Sequence, residues 1–405
     1  MDNVANQPDS WKSDKLKSLP IDLIDGDRSS RYPKRDEFQD TGIVFLNTTN
    51  IVDNRLDFSG VNYISEEKFA QLRKGKLRPL DIVMTTRGSI GKIAVFNHSA
   101  YRTGFINAQM LIIRADGETI DNKFLYYLLC SDVFQERLKN FSSGAAQPQI
   151  PIKDLREIEV DYPPLPTQKK ITAILSAYDD LIENNTRRIQ ILEEMAQTIY
   201  RQWFVEFKYP GHESVPLVES GTELGMIPRG WEASRLDEAL VLQRGFDLPK
   251  KKRVSGNIPI FAATGVVGTH NERKVKAPGV VTGRSGSLGT VIYIDEDYWP
   301  LNTTLWVKEF RKATPLFAYY LLDGMDLQSL NSGAAVPSLN RNYAHAQTVI
   351  IPPTRLLQEF DNHVLPMHNL MRTLRDKNTN LRATRDLLLP RLVSGEVGVE
   401  GVAVS

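Results

Sequence analysis

Residues 167–207 read TQKKITAILSAYDDLIENNTRRIQILEEMAQTIYRQWFVEF, and their spacing decides the fold. Apolar side chains fall at Ile171, Leu175, Tyr178, Ile182, Ile189, Leu192, Ala196, Ile199 and Trp203, with Asn185 in the remaining slot, so steps of four and three residues alternate. That repeat is a coiled-coil seam, narrower than the face of an ordinary amphipathic helix. A second seam of the same length runs through Phe360, Val364, Met367, Met371, Leu374, Asn378, Leu381, Arg385, Leu388 and Leu392. Two matching seams, each holding a single asparagine, predict that the helices pair with each other. An antiparallel pairing that sets Asn185 against Asn378 matches Ile171 with Leu392, Ile182 with Leu381, Ile189 with Leu374 and Trp203 with Phe360. A parallel pairing leaves each amide against an aliphatic side chain, and buried amides need partners, so the antiparallel arrangement is the expectation.

The outer faces of both stretches are charged (Arg187, Arg188, Glu193, Glu194; Arg372, Arg375, Asp376, Lys377), and Pro210-Gly211 and Gly395 stop them. Pro366 and Pro390 fall inside the second seam. A proline removes a hydrogen bond and kinks a helix, so the regular part of the second helix is expected to begin near residue 366.

The chain of 405 residues, 41% hydrophobic and 24% charged, is long enough for two or three domains with cores of their own. A formal charge of +1 neither demands nor excludes a polyanionic partner, because basic residues can be gathered on one face and balanced elsewhere. The one cysteine, Cys130, sits in the apolar run FLYYLLC and reads as a core filler, which fits a reducing cytoplasm. No stretch approaches the length of a membrane span, and residues 1–15 lack the apolar run of a secretion signal.

Internal repetition gives the organisation. Trp11 and Leu16, Gly88-Ser89-Ile90-Gly91, Tyr126-Tyr127-Leu128-Leu129, Ser143-Gly144-Ala145-Ala146 and Pro163-Pro164 precede the first seam. Trp231 and Leu236, Gly286-Ser287-Leu288-Gly289, Tyr319-Tyr320-Leu321-Leu322, Ser332-Gly333-Ala334-Ala335 and Pro352-Pro353 answer them in the same order before the second. The predicted plan is domain 1 over 1–165, helix 1 over 166–207, a Pro/Gly-bearing linker over 208–229, domain 2 over 230–353, helix 2 over 354–395 and a tail over 396–405. Runs such as IVFLN (43–47), DIVMTT (81–86), KIAVF (92–96) and MLIIR (110–114) predict strands, with a helix over 122–138. In the second half GVVTG, TVIYI and TLWVK predict strands and PLFAYYLLDGM a helix. Each domain is therefore expected to be α+β, a small curved sheet with helices and no βαβ rhythm.

No catalytic constellation emerges. Gly88-Ser-Ile-Gly91-Lys92 lacks the earlier glycine and the Ser/Thr of a phosphate loop, and its second copy has Thr290 for the lysine, so a tight turn is the reading. Asp161-Tyr-Pro-Pro-Leu165 has the wrong residue order for an amino-methyltransferase motif, and the six histidines show no metal-ligand spacing. What remains is polar and basic clusters at loops. In the first half these are Arg31, Lys34, Arg35, Thr48, Thr49, Asn50, Arg87, Ser89 and Gln147. In the second they are Arg244, Lys250, Lys251, Lys252, Arg253, Thr264, Arg273, Arg284, Ser285, Asn340 and Arg341. Lysine and arginine neutralise phosphates while Arg, Asn, Gln and Thr can read base edges, so the mixture suits duplex DNA. A coiled-coil adaptor without DNA readout and a free-standing DNA-modifying enzyme are the competing readings.

Taken together, the duplicated plan, Leu224-Gly-Met-Ile-Pro-Arg-Gly-Trp231, the Gly-Ser-Ile/Leu-Gly turns, the Pro-Pro helix starts with Gln168 and Gln358, and Asp386-Leu-Leu-Leu-Pro-Arg-Leu-Val-Ser-Gly395 resemble the specificity subunit of type I restriction–modification systems. The resemblance covers about residues 10–395. It implies two similar target-recognition domains held by an antiparallel coiled coil with pseudo-two-fold symmetry. It implies a non-catalytic chain reading an asymmetric bipartite site in double-stranded DNA, one half per domain, with the helices setting the spacer. The implied partners are two methyltransferase subunits carrying S-adenosylmethionine and two translocase/nuclease subunits using ATP and Mg²⁺, with no cofactor or metal in this chain.

Overall fold

The computed structural model describes residues 10–141, 149–333 and 335–402. Two compact units emerge: one combines the residues up to Asn184 with those from Asn378 on, and the other is the continuous stretch Asn185–Lys377.

In the first unit an antiparallel sheet has the strand order Ile21–Asp25, Met110–Ala115, Ile82–Thr85, Ile93–Val95. A second sheet has the order Asn62–Ile64, Ile43–Leu46, Gly104–Ile106, Lys76–Leu77, with Gly104–Ile106 parallel to Ile43–Leu46. Met110, Leu111, Ile112 and Ile113 are all buried because successive side chains of a strand point to opposite faces and both faces are covered here. Leu111 and Ile113 join the core under helix Asn122–Cys130, whereas Met110 and Ile112 join the core shared with the second sheet. The helix expected over 122–138 is broken at Ser131, whose hydroxyl donates to the Leu128 carbonyl at 2.6 Å and accepts from the Phe134 amide at 3.4 Å, so that a new helix, Asp132–Phe141, starts there.

The second unit repeats this plan. Its antiparallel sheet has the order Leu240–Arg244, Thr304–Phe310, Gly279–Gly283, Val291–Ile294, and its second sheet the order Gly265–His270, Ile258–Ala262, Trp299–Pro300, again with one parallel pair. Each unit also pairs a strand ahead of its two sheets with the strand before its long helix: Lys12–Lys15 with Glu159–Tyr162, and Glu232–Arg235 with Thr348–Ile351. Residues 208–229, read as a linker, carry a short antiparallel pair, Leu217–Glu219 with Met226–Pro228, and Tyr209 and Ile227 are buried in the second unit's core.

The long helices are Leu165–Tyr200, continued by one wide turn over Arg201–Val205, and Thr354–Val393. In the first unit Ile171, Leu175 and Leu392 share one core, Asp179 and Arg385 form an ion pair at 2.6 Å, and the Asn378 amide donates to the Ile182 carbonyl at 3.3 Å. In the second, Glu193 pairs with Arg375 at 2.6 Å and the rings of Trp203 and Phe360 lie 6.2 Å apart. Within each unit, rising numbers on one helix meet falling numbers on the other, which is the antiparallel pairing the seams predict. Asn185 and Asn378 are both buried.

The second helix does not begin near 366; it runs unbroken from Thr354 through Pro366 and Pro390. Leu356, Leu357, Phe360 and Val364, upstream of the first proline, are buried in the second unit's core. Burying four such side chains at about 1.5–3 kcal/mol each outweighs the roughly 3 kcal/mol that an interior proline costs.

Candidate nucleic-acid interface

In the second unit, strand Leu240–Arg244 ends at Arg244, and strand Gly279–Gly283 leads into Arg284. The turn Gly286–Gly289 that follows needs positive φ at both glycines, 90° and 88°, and a Cβ on Gly283 would stand 1.9 Å from the Ser287 carbonyl oxygen. This turn is tied down by its neighbours. The Leu339 amide donates to the Arg284 carbonyl and the Gly286 amide to the Pro337 carbonyl, while Ser285 and Ser338 face each other as an isolated antiparallel pair. Asn340 caps the short helix Arg341–His345, accepting from the Asn342 amide at 3.0 Å. The result gathers Arg244, Arg284, Asn340 and Arg341 around one open pocket of about 340 Å³, with Ser332 and Ser338 on its wall.

Asp247 is the counter-charge, 3.5 Å from Arg244 and bonded to the Asn302 amide, and the Asn302 carbonyl in turn accepts from Arg284 at 3.0 Å. Phe246 and Leu248 anchor the loop on a small core with Ile260, Trp299 and Leu301. Beyond them Lys250–Lys252 form a single 3₁₀ turn, and all three lysines are exposed with no ion pair among the described residues. Three adjacent ammonium groups without counter-ions are a local positive field suited to phosphates.

Two expected readers in this unit are already engaged. Arg253 spends its guanidinium on the Val267 and Leu248 carbonyls at 3.2 and 3.4 Å, bracing the loop, and Arg273 is paired with Asp297 at 2.8 Å. Thr264 is exposed in the two-residue turn between Ile258–Ala262 and Gly265–His270.

The first unit builds the same rim from other side chains. Thr86 stands where Arg284 does, with the Ile150 amide donating to its carbonyl, but its side chain is buried and its hydroxyl donates to the Gln109 carbonyl at 3.1 Å; Arg87 stands where Ser285 does, facing Gln149. Arg87 and Ser89 are exposed on the turn between Ile82–Thr85 and Ile93–Val95, where Gly88 and Gly91 have φ of 72° and 81°. Gln147 lies outside the described residues.

Arg31, Lys34 and Arg35 are exposed on a loop that Asp27 fixes, its carboxylate accepting from the Ser29 and Arg73 amides at 2.7 and 3.0 Å. Burial alone would raise the Asp27 pKa, but the Ser29 hydroxyl and these amides outweigh it and hold the carboxyl at about 2. Thr48 is half-buried and Thr49 exposed, but Asn50 departs from the expectation. Its buried amide accepts from the Asn47 backbone at 2.8 Å and donates to the Asp57 carbonyl at 3.2 Å, which makes it a brace of the loop and not a reader.

Sequence reading missed Asp247, Asn302 and Ser338. The signal was a matched pair of glycines: Gly26 and Gly245 both follow the first strand of their sheets, where a Cβ would meet the Asn107 carbonyl oxygen at 2.6 Å and the Leu301 carbonyl oxygen at 2.2 Å. Aligning the two glycines sets Asp25 and Arg28, an ion pair at 3.2 Å, opposite Arg244 and Asp247, the same pair with its charges exchanged.

Burial pushes the Cys130 thiol up to about 12, which leaves it protonated, and among the described residues no group of three or more His, Cys, Asp or Glu side chains could hold a metal ion. No helix among the described residues is long and apolar enough to cross a membrane.

A family model described as the type I restriction modification DNA specificity domain matches residues 8–194 and again 228–365. The chain is 29% identical over 345 residues to the type I restriction enzyme MjaIX specificity subunit of Methanocaldococcus jannaschii, covering 79% of this chain and 78% of that one. It is 21% identical over 459 residues to the HindI specificity subunit of Haemophilus influenzae, covering 92% and 98%. Its fold is similar to the crystal structure of the type I S subunit from M. genitalium, with a TM-score of 0.61 at 18% identity over 97% of this chain and 98% of that one. A chain matched twice by one specificity-domain model, along the two halves of its own internal repeat, belongs to the type I restriction–modification DNA-specificity family.

Proposed function

We propose that this specificity subunit reads an asymmetric, bipartite site in double-stranded DNA, each unit addressing one half, with the paired long helices setting the unread spacer. The observation that carries the reading is one rim built twice with different side chains: exposed Arg87 in the first unit where the second has Ser285, buried Thr86 where the second has Arg284, and an Asp25/Arg28 pair against an Arg244/Asp247 pair. A constant frame with exchanged donors and acceptors is what reading two unlike half-sites requires. Arg244, Arg284 and Arg341 are assigned to base edges or nearby phosphates, and Lys250, Lys251 and Lys252 to the phosphate backbone.

The chain itself supplies recognition and no catalysis. It works in the cytoplasm with two methyltransferase subunits, which carry S-adenosylmethionine, and two translocase/nuclease subunits, which use ATP and Mg²⁺. The test is replacement of residues 230–353 by the corresponding domain of a relative, followed by sequencing of the methylated motif in a host carrying the partner subunits. One half of the motif should change and the other stay. A swap that alters both halves overturns the assignment of one half-site to each unit.

A further inference from the structure

The two units differ most sharply at one place. In the first, fifteen residues (47–61) separate strands Ile43–Leu46 and Asn62–Ile64; in the second, only Ala263 and Thr264 separate Ile258–Ala262 and Gly265–His270. The extra segment contains a tight hairpin, Ile51–Val52 paired with Arg55–Leu56, whose turn residues Asp53 and Asn54 take φ of 48° and 58°.

That hairpin covers strand Ile93–Val95 and the nearby helices. Ile51 and Leu56 pack with Ala94 and Phe96, the Tyr126 hydroxyl donates to the Asn54 carbonyl at 2.9 Å, and Arg55 reaches Asp179 at 3.1 Å. Asp179 also accepts from Tyr127 at 2.7 Å.

In the second unit the same surfaces recur without the cover. Strand Val291–Ile294 stands for Ile93–Val95, Tyr319 and Tyr320 for Tyr126 and Tyr127, and His368 for Asp179, with the Tyr320 hydroxyl 2.9 Å from its Nε2. Together they line an open cleft of about 800 Å³. The Tyr319 hydroxyl, counterpart of the one that binds Asn54, has no hydrogen-bond partner among the described residues. Four carboxylates face this cleft, and two are neutralised: Glu193 by Arg375 at 2.6 Å and Asp295 by Arg372 at 3.4 Å. Glu296 and Asp376 form no ion pair among the described residues.

We propose that this cleft is a docking site for a tight turn of a partner protein, one that offers a main-chain carbonyl to Tyr319 and a lysine or arginine to Glu296 and Asp376. The occupant would do from outside what residues 51–56 do for the first unit from within, and the unbalanced carboxylates fix the sign of its charge. In the first unit residues 51–56 already cover the counterpart surface, and the space of about 560 Å³ that stays open there is walled by the hairpin itself, so the chain offers one such uncovered site and not two. The inference is independent of the DNA reading.

The probe is a cyclised peptide of residues 50–57 carrying Asp53→Asn and Asp57→Asn, so that Arg55 gives it the positive charge the cleft calls for, titrated against the full chain by calorimetry or by chemical-shift changes at Tyr319. Saturable binding of one peptide per chain is expected. Exchanging both acids, Glu296→Lys with Asp376→Lys, should weaken it about tenfold, as should Arg55→Glu in the peptide. Both protein substitutions are at the surface and leave the cores intact, so a folded variant is available for comparison. The absence of binding at millimolar peptide, a stoichiometry of two, or affinity unchanged in the double variant overturns the proposal.

Discussion

Asp179 on the first long helix and Arg385 on the second meet at 2.6 Å, and Asp179 accepts at the same time from the Tyr127 hydroxyl and the Arg55 guanidinium. One carboxylate thus joins both helices, the helix Asn122–Cys130 and the hairpin 51–56. Asp179→Ala takes from Arg385, only 21% exposed, the carboxylate it shares with Tyr127 and Arg55 and leaves it Asp386 alone. A loss of about 3 kcal/mol is expected, measured by chemical denaturation. The double change Asp179→Leu with Arg385→Leu should recover most of it, because removing a part-buried pair together costs less than stranding one member. Equal losses in the single and double variants would show that the pair does not act as a unit.

His368 makes the second unit acid-sensitive. Burial first, then the charge of Arg375, lowers its pKa from 6.5 to about 4, and it faces Tyr293, Tyr319 and Tyr320. A histidine whose folded pKa is depressed stabilises the fold fully above 6.5, and that stability is lost as pH falls toward 4. About 3 kcal/mol is at stake by the linkage of pKa to stability. Asp323 and Asp361, whose pKa values partial desolvation raises, act in the opposite direction, so the comparison to make is with His368→Gln, whose unfolding midpoint should fall less between pH 6.5 and 4.

Lys250, Lys251 and Lys252 should behave as a backbone grip. Changing each to alanine is expected to weaken binding to every duplex alike and to reduce the slope of log K against log salt by roughly 0.9 for each phosphate no longer neutralised. Arg284→Ala should instead relax one position of the half-site, at about 1–3 kcal/mol of discrimination. Titrations of matched and single-mismatch duplexes at several salt concentrations separate the two behaviours.

A heptad inserted at matched points, after Ile182 and before Leu381, keeps both seams in phase and lengthens each helix by roughly 10 Å at about 1.5 Å per residue. The methylated motif should keep both half-sites and gain about three base pairs of spacer, one for each roughly 3.4 Å. An active variant with the original spacer would show that the helices do not set the distance.

Much of this architecture is legible in the order of residues alone. The seams can be read because steric pairing leaves a regular trace: Trp203 meets Phe360, and Ile171 shares a core with Leu392, as counting indicates. Strands such as Met110–Ala115 are visible because burial on both faces requires an uninterrupted apolar run. Side-chain roles at the rim are less legible. Asn50 and Arg253 have the composition of readers, yet backbone groups distant in sequence, at Asp57 and Val267, consume their hydrogen bonds. Pro366 misleads because local propensity is blind to the core that holds Phe360 and Val364. The hairpin at 51–56 is hidden because Asp53-Asn54 looks like any polar loop until Tyr126 and Arg55 fasten it down.

The first unit is assembled from two stretches of chain that are far apart in sequence, and this has a bearing on how the protein is made. The second unit is continuous, so every residue it needs has been synthesised once Lys377 has. The first waits for Leu388, Leu392, Val393 and Val399, which complete its core, and for Glu400, whose carbonyl accepts from Lys170 at 2.9 Å. During translation the half that begins the polypeptide is therefore the half that closes last, with Ile171 and Leu175 uncovered until the final helix arrives. A nonsense mutation just after residue 377 would spare the later-encoded reader and leave the earlier one unfinished, the reverse of what gene order suggests.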